Sequence, residues 1–210
     1  VFLYTYSTRL EKENQMWDNR YSRPEYTFGT EPNEFLREFA SRIPMGRVLM
    51  LAEGEGRNGV YLASLGYEVT GVDSSRVGLE KAQRLAADRG VKINTIVADL
   101  AEFVIEPNAW EGIVSIFCHL PSALRTKVHA QGVAGLRPGG CFLLESYTPR
   151  QLAFKTGGPS DPDMLPDLDH LRRELAGLRF DHALEIERDV HEGPSHSGRA
   201  AVVQVIAFKE

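Results

Sequence analysis

The chain is short of cysteine, of long apolar runs and of positive charge. Two cysteines, Cys118 and Cys141, occur in 210 residues. They lack metal-ligand spacing and read as small buried apolar residues, so neither a disulfide framework nor a structural metal is needed, and a reducing, cytoplasmic compartment is expected. No apolar run approaches the roughly 20 residues of a helical membrane span. The apolar opening Val1–Tyr6 is too short for a signal-peptide core and follows no basic segment. Lys and Arg number 24 against 29 Asp and Glu, a net charge of -5. Without a surplus of positive charge a general phosphate-backbone binder is not expected, and no nucleic-acid partner is predicted. Internal repeats and low-complexity stretches are also missing. What remains is an average soluble composition, 42% hydrophobic and 25% charged, at a length that suits one domain.

Residues 1–15 look unlike the rest, and Met16 directly precedes the informative run Trp17-Asp18-Asn19-Arg20-Tyr21. They are read as an extension or a disordered N-terminus, with Met16 as the natural start and residues 16–210 as a single domain; mass spectrometry of native protein checks this. From residue 32 helix and strand alternate. Helical spacing predicts helices over Pro32–Ser41, with Pro32 in the first turn, and over Gly56–Leu65, Ser75–Arg89, Pro121–Val133 and Asp167–Leu175. Short apolar runs predict strands at Arg47–Ala52, Tyr67–Val72, Val91–Ala98, Gly112–Phe117 and Gly140–Ser146, the last after a turn at Leu136–Gly140. Such alternation implies an α/β, doubly wound, mostly parallel sheet with helices on both faces. The order changes after residue 150. Lys155–Pro166, rich in Gly, Pro and Asp, reads as a mobile loop, and His182–His191 and Gly198–Phe208 read as an antiparallel hairpin.

The chemistry starts at Ala52-Glu53-Gly54-Glu55-Gly56-Arg57-Asn58-Gly59. Strand, glycine-rich turn and helix form the layout of a nucleotide-binding unit, in which glycines allow close backbone approach and the helix start offers unpaired N–H groups. Asp73 closes the second strand, where an acid accepts hydrogen bonds from ribose hydroxyls, and Asp99 closes the third, within reach of an adenine edge. Each Asp alone is as readily a helix cap or a turn residue. Three ligand-facing features at consecutive strand ends are harder to obtain by chance. Gly54, Gly56 and Gly59 satisfy a dinucleotide fingerprint, but Glu53 and Glu55 flank them and no Lys stands nearby in sequence. Repulsion of order 1 kcal/mol per close like-charge pair opposes a pyrophosphate and favours a cationic ligand, with Arg57 free to pair with Glu53 or Glu55.

These segments resemble the class I S-adenosylmethionine-dependent methyltransferases, and within them the tellurite-resistance and thiopurine methyltransferase-like branch. The resemblance spans about residues 16–210. It rests on Trp17–Tyr21 with Tyr26, Gly29 and Pro32–Leu36, on Ala52–Asn58, on Gly71-Val72-Asp73-Ser74-Ser75, on Ala98-Asp99-Leu100, and on Leu136–Gly140. It implies a seven-stranded sheet ending in the antiparallel hairpin, with S-adenosylmethionine as cofactor and methyl transfer as activity. The cofactor residues carried over are Ala52, Glu53, Gly54, Glu55 and Asn58 in the loop, Asp73 at ribose, and Ser74, Asp99 and Leu100 around adenine. Phe117 would border the methyl, and Arg20 and Tyr21 would fold over the cofactor. Many members carry Asp at the position of Met50 and Gly-Cys at Ala52-Glu53, so the contact to the methionine ammonium shifts here to Glu53 or to backbone alone.

Ligands of a parallel sheet bind beyond the carboxyl ends of its strands. With strand six parallel, that rule gathers His119, Tyr147, His191, His196 and Arg199 into one acceptor pocket. His119, His191 and His196 are candidate proton acceptors and Arg199 a candidate for an anionic substrate. A metal on the two hairpin histidines needs a third ligand, Glu192 being at hand, and none is predicted. The expected partner is a small molecule such as a thiol or a metalloid oxyanion. A nicotinamide-dependent oxidoreductase and a non-catalytic S-adenosylmethionine-binding module are the alternatives. Oligomeric state leaves no trace in the sequence.

Overall fold

The computed structural model describes residues 15–193 and 197–210. Seven strands form one sheet in the order β3-β2-β1-β4-β5-β7-β6. They are β1 (Arg47–Leu51), β2 (Glu68–Asp73), β3 (Asn94–Val97), β4 (Trp110–Ile116), β5 (Leu136–Tyr147), β6 (Leu178–His191) and β7 (Ser197–Lys209). The first five are mutually parallel. Strand β7 runs antiparallel to both β5 and β6, which makes β6 parallel to the rest, as expected. Helix α1 covers residues 15–21. The others are α2 (Glu34–Phe39), α3 (Arg57–Ser64), α4 (Arg76–Asp88), α5 (Ser122–Gly135) and α6 (Leu168–Glu174).

Strand alternation divides the core. Val48, Met50, Val114, Cys141 and Leu143 face Leu36, Val60, Leu62 and Leu85, the buried stripes of α2, α3 and α4. Leu49, Leu51, Ile113, Phe142 and Leu144 face Val128 of α5 and Leu171 of α6. Both cysteines are free thiols, and burial pushes each up to about 12. No helix among the described residues is long and apolar enough to cross a membrane.

Several boundaries differ from expectation. Helix α2 begins after Asn33, whose side chain accepts from Leu36 N, so Pro32 stands outside the helix. Strand β3 is shorter than its apolar run because it lies at the sheet edge and pairs on one side only. The turn expected at 136–140 is an irregularity within β5, where the pairing to β4 shifts between Trp110 and Gly112. The supposed mobile loop is tied down at both ends. Gln151, buried, donates to Thr156 Oγ1 at 3.0 Å and accepts from Ala201 N at 3.0 Å. Asp163 accepts from Ser122 N at 2.8 Å and so holds the start of α5.

Candidate functional site

Strand order reverses between β1 and β4, and such a switch point opens a crevice at the carboxyl ends of the strands. The segment after β1 enters it in a left-handed conformation, with Ala52 at φ +54° and Gly54 at +60°. Ala52 is exposed there, the rest of the loop buried. A Cβ on Gly54 would lie 2.8 Å from the Tyr21 hydroxyl, so only glycine fits beneath that ring. Gly54 N donates to Asp73 Oδ2 at 2.8 Å, and Ser75 N donates to Asp73 Oδ1 at 2.8 Å. Burial raises the Asp73 carboxyl, and these N–H groups pull it back down. One carboxylate thus ties the end of β2 to the loop after β1. Ser74 and Asp99 are half-buried beside it and Leu100 is buried. Asp99 Oδ1 accepts from Ala101 N at 2.7 Å.

The N-terminal segment covers this end of the crevice. Tyr21 stacks on Trp17 at 5.4 Å, and the Arg20 guanidinium lies between the rings of Trp17 and Phe28 at 5.2 and 5.1 Å. Burial, then the charges of Asp73 and Glu55, raise the Tyr21 phenol well above its ordinary value. Asp18 Oδ1 accepts from Ser75 Oγ at 2.5 Å.

The two loop carboxylates do not serve the ligand-facing role expected of them. Glu53 folds back under the loop, where its Oε1 accepts from Gly59 N at 2.8 Å. Its Cγ fills the place of a Cβ on Gly71, the residue paired with Met50. Burial pushes Glu53 up to about 8. The carboxyl therefore occupies the space beside Met50, at the position where many relatives of the resemblance carry Asp. Glu55 is neutralised: Lys81 Nζ lies 2.5 Å from Oε1, and Thr27 N donates to Oε2 at 2.7 Å. The inference that the loop is bare of lysine thus fails, because α4 turns Lys81 inward. Asn58 is also spent, its Oδ1 accepting from Asn33 N at 2.9 Å. Arg57 pairs with neither Glu53 nor Glu55 but with Glu192 at 2.5 Å.

At the other end of the crevice, Phe117 leaves β4 with φ +51° and packs against Tyr147 at 4.6 Å. His119 stacks on Tyr147 at 5.4 Å with rings 1° from parallel, and its Nδ1 lies 3.4 Å from Ser146 Oγ. Val190, Ala200 and Val202 pack with Tyr147. Alternation therefore turns their neighbours His191 and Arg199 to the opposite face of the hairpin. Arg199 is half exposed at 50% and reaches Glu187 at 3.4 Å, and His191 is exposed. The pocket of five converging side chains is thus reduced, among the described residues, to His119 and Tyr147. His196 lies outside the described residues.

The largest feature missed from the sequence is a buried polar cluster. Asn33 Nδ2 donates to Glu145 at 2.6 Å and to Glu192 at 2.7 Å. Arg188 donates to Glu145 at 2.8 Å and to Glu192 at 3.0 Å, and Gln204 donates to Glu145 at 2.7 Å. Its signal was a lone carboxylate, Glu145, inside the apolar run Cys141–Tyr147. Lys81 had a similar signal, on the inward stripe of α4 with Ala82 and Leu85. No group of three or more His, Cys, Asp or Glu able to hold a metal stands among the described residues.

The family model described as a methyltransferase domain matches residues 48–140, from β1 into β5. The match supports a methyltransferase as the enzyme class and implies S-adenosylmethionine as its cofactor. A structure described as the conversion of a disulfide bond into a thioacetal group during echinomycin biosynthesis is similar over 94% of this chain and 92% of that one, at 20% identity and a TM-score of 0.74. TehB from Haemophilus influenzae is similar over 83% of this chain, at 19% identity and a TM-score of 0.68, although the match spans only 61% of TehB. A S-adenosylmethionine-dependent methyltransferase from Methanosarcina mazei is similar over 78% of this chain and 92% of that one, at 17% identity and a TM-score of 0.59. At these identities the likeness is one of fold. No curated protein sequence matches.

The crevice suits this cofactor. The loop presents its exposed residue Ala52 to the crevice, while Gly54 is covered by the Tyr21 hydroxyl. The cations built around it are committed: Lys81 to Glu55 and to three backbone carbonyls, and Arg57 at Nη2 to Glu192. A pyrophosphate would find little to neutralise it, whereas S-adenosylmethionine has no phosphate.

Proposed function

We propose that the chain methylates a small molecule, in the manner of the tellurite-resistance and thiopurine methyltransferase-like branch, with a thiol or a metalloid oxyanion as the acceptor class. The observation that carries this is the ring cluster of Phe117, His119 and Tyr147 at the ends of β4 and β5, beside the cofactor loop. Polarisable sulfur and its heavier relatives pack well on aromatic faces. When bound, S-adenosylmethionine supplies a methyl group already activated by a positive sulfur. The protein's share is then alignment and exclusion of water. Ala52 and Gly54 would hold the methionine part through backbone, the ammonium included, because Met50 is buried and the Glu53 carboxyl is turned inward. Asp73 would accept from the ribose, with Ser74, Asp99 and Leu100 around the adenine and Tyr21 and Arg20 above. His119 is the candidate base for a protonated acceptor and would take its proton on the imidazole.

Calorimetry tests this in two stages. S-adenosylmethionine and S-adenosylhomocysteine should bind with micromolar affinity, NADH should not, and Asp73→Ala should abolish binding. A screen of thiols and tellurite should then yield turnover. His119→Ala should lower that turnover by about 10²-fold or more while S-adenosylhomocysteine affinity stays within about twofold. Binding of NADH alone would replace the methyltransferase reading with the nicotinamide one.

A further inference from the structure

A cavity of about 730 Å³ opens between the first turn of α5, the segments after β5 and helix α6. Since β4 runs into α5 and β5 runs into Pro149, the cavity lies at the carboxyl end of the sheet, the end that binds ligands in parallel α/β folds. Its volume falls within the range of small-molecule sites, about 300–1,000 Å³. Two contacts join it to the ring cluster. Leu165 lines the cavity and packs with Tyr147 and Phe117. Arg125 lines it too, and its Nη1 donates to the carbonyl of Leu120, the residue after His119, at 3.3 Å.

The wall is braced by buried charge. Arg125, with 4% of its side chain exposed, donates from Nε at 3.1 Å and from Nη2 at 3.0 Å to Glu174, and from Nη1 to Asp163 O at 3.0 Å. Glu174 also meets His129 Nδ1 at 2.7 Å. Burial alone would raise the Glu174 carboxyl, but His129 and Arg125 hold it below its ordinary value. The Asp163 carboxylate is spent on Ser122 N at 2.8 Å. His170 Nδ1 is paired with Asp167, and Arg172 lies over Phe180 at 5.1 Å. Arg173 remains. It is exposed on α6, lines the cavity and has no hydrogen bond or ion pair among the described residues. The rest of the lining is largely apolar, with Ala123, Pro149, Pro162 and Leu165. An uncommitted planar cation thus stands beside an apolar wall.

We propose that this cavity holds the body of the methyl acceptor, and that the acceptor is a thiol whose far end carries a carboxylate bound by Arg173. The proposal rests on the small-molecule reading, with methyl transfer at the ring cluster, and chooses between its two acceptor classes. A bare metalloid oxyanion would fill only a small part of about 730 Å³ and would gain nothing from the apolar wall. An apolar chain ending in a carboxylate uses both features, because a guanidinium takes a carboxylate through two parallel N–H bonds. In the reaction the thiol loses its proton to solvent and its sulfur bonds to the methyl carbon as that carbon leaves the sulfonium. The products are a thioether carboxylate and S-adenosylhomocysteine.

Three thiols of equal length test the proposal: 6-mercaptohexanoate, 6-mercaptohexan-1-ol and 6-aminohexane-1-thiol, which end in an anion, a neutral group and a cation. Turnover with S-adenosylmethionine should favour the acid by about tenfold or more in kcat/KM, chiefly through KM. Arg173→Glu should remove that preference. Ala123→Trp, at an exposed position of α5, should fill the cavity and raise KM for all three. Hexanoate, which has no thiol, gives a readout without turnover. In calorimetry it should bind the unaltered protein and bind Arg173→Glu about tenfold or more weakly, while S-adenosylhomocysteine affinity stays within about twofold. Equal turnover of the three thiols, unchanged in Arg173→Glu, would overturn the proposal and leave the methyltransferase reading standing. Hexanoate bound equally by both proteins, or by neither, would also overturn it. No turnover of any thiol, with hexanoate bound and weakened by Arg173→Glu, would support the carboxylate site and remove the thiol reading instead.

Discussion

The two ends of the crevice are held together by different kinds of contact. Beyond β1 and β2 the decisive bonds are short in sequence: Glu53 to Gly59 spans 6 positions and Asp73 to Gly54 spans 19. Each is a carboxylate accepting from a backbone N–H of a neighbouring turn. Beyond β5 and β6 the bonds join side chains far apart, with 112 positions between Asn33 and Glu145, 135 between Arg57 and Glu192 and 159 between Asn33 and Glu192. The first end is a local motif, contained within the β1–α3–β2 unit and the turn that follows it. The second exists only once the hairpin has docked on the N-terminal segment. A local motif tolerates loss of one partner better than a buried ion-pair network, where every remaining charge is left without compensation.

Four measurements would sharpen that contrast or break it. Glu145→Ala should cost most. It strips Arg188, Asn33 and Gln204 of a shared acceptor that is itself wholly buried, and removing one partner of such a network costs about 3–5 kcal/mol, to be read from urea unfolding. Asp73→Ala should come next, at about 2–4 kcal/mol, because the N–H groups of Gly54 and Ser75 both lose their acceptor. If Asp73→Ala costs more than Glu145→Ala, the local end is the stronger one and the contrast is reversed.

The third measurement is a pH series. Glu53 holds its proton to about 8 in the folded protein, whereas an exposed glutamate releases it near 4.5. Between these values the folded state binds the extra proton, so stability from this group falls as pH rises from about 4.5 to 8 and levels off above. Glu53→Gln should remove that slope, and the difference between the two unfolding curves across pH isolates it. An unchanged slope would mean that Glu53 is ionised beneath the loop. The smallest effect is expected at the surface. Glu31→Gln removes a pair with Arg89 in which the two side chains are 73% and 50% exposed, and should change stability by less than about 1 kcal/mol and S-adenosylhomocysteine affinity not measurably.

Legibility in the sequence followed the range of the contact. The short apolar runs of the strands, the glycine loop and its helix, and the carboxylates that follow β2 and β3 each declare themselves within a short window, and all are in place. Glu53, Glu55 and Asn58 were visible as polar residues in that window, but their orientation was not. Whether a side chain at a loop faces ligand or protein depends on what packs beneath it. Here Gly71 leaves room for Glu53, α4 brings up Lys81, and α2 brings up Asn33. The hairpin misled for a related reason. Its position at the correct end of the sheet followed from strand order, while the face shown by His191 and Arg199 followed from register, set by seven pairings with β5 from Cys141 to Tyr147.

The sequence alone determined the α/β architecture and the glycine-rich loop, because both arise from hydrophobic patterning and backbone conformation, properties of neighbouring residues. Tertiary structure alone decided which charges are spent and which remain for a ligand. A carboxylate or a guanidinium is committed by whatever partner the fold brings within about 3 Å, and that partner can lie anywhere in the chain.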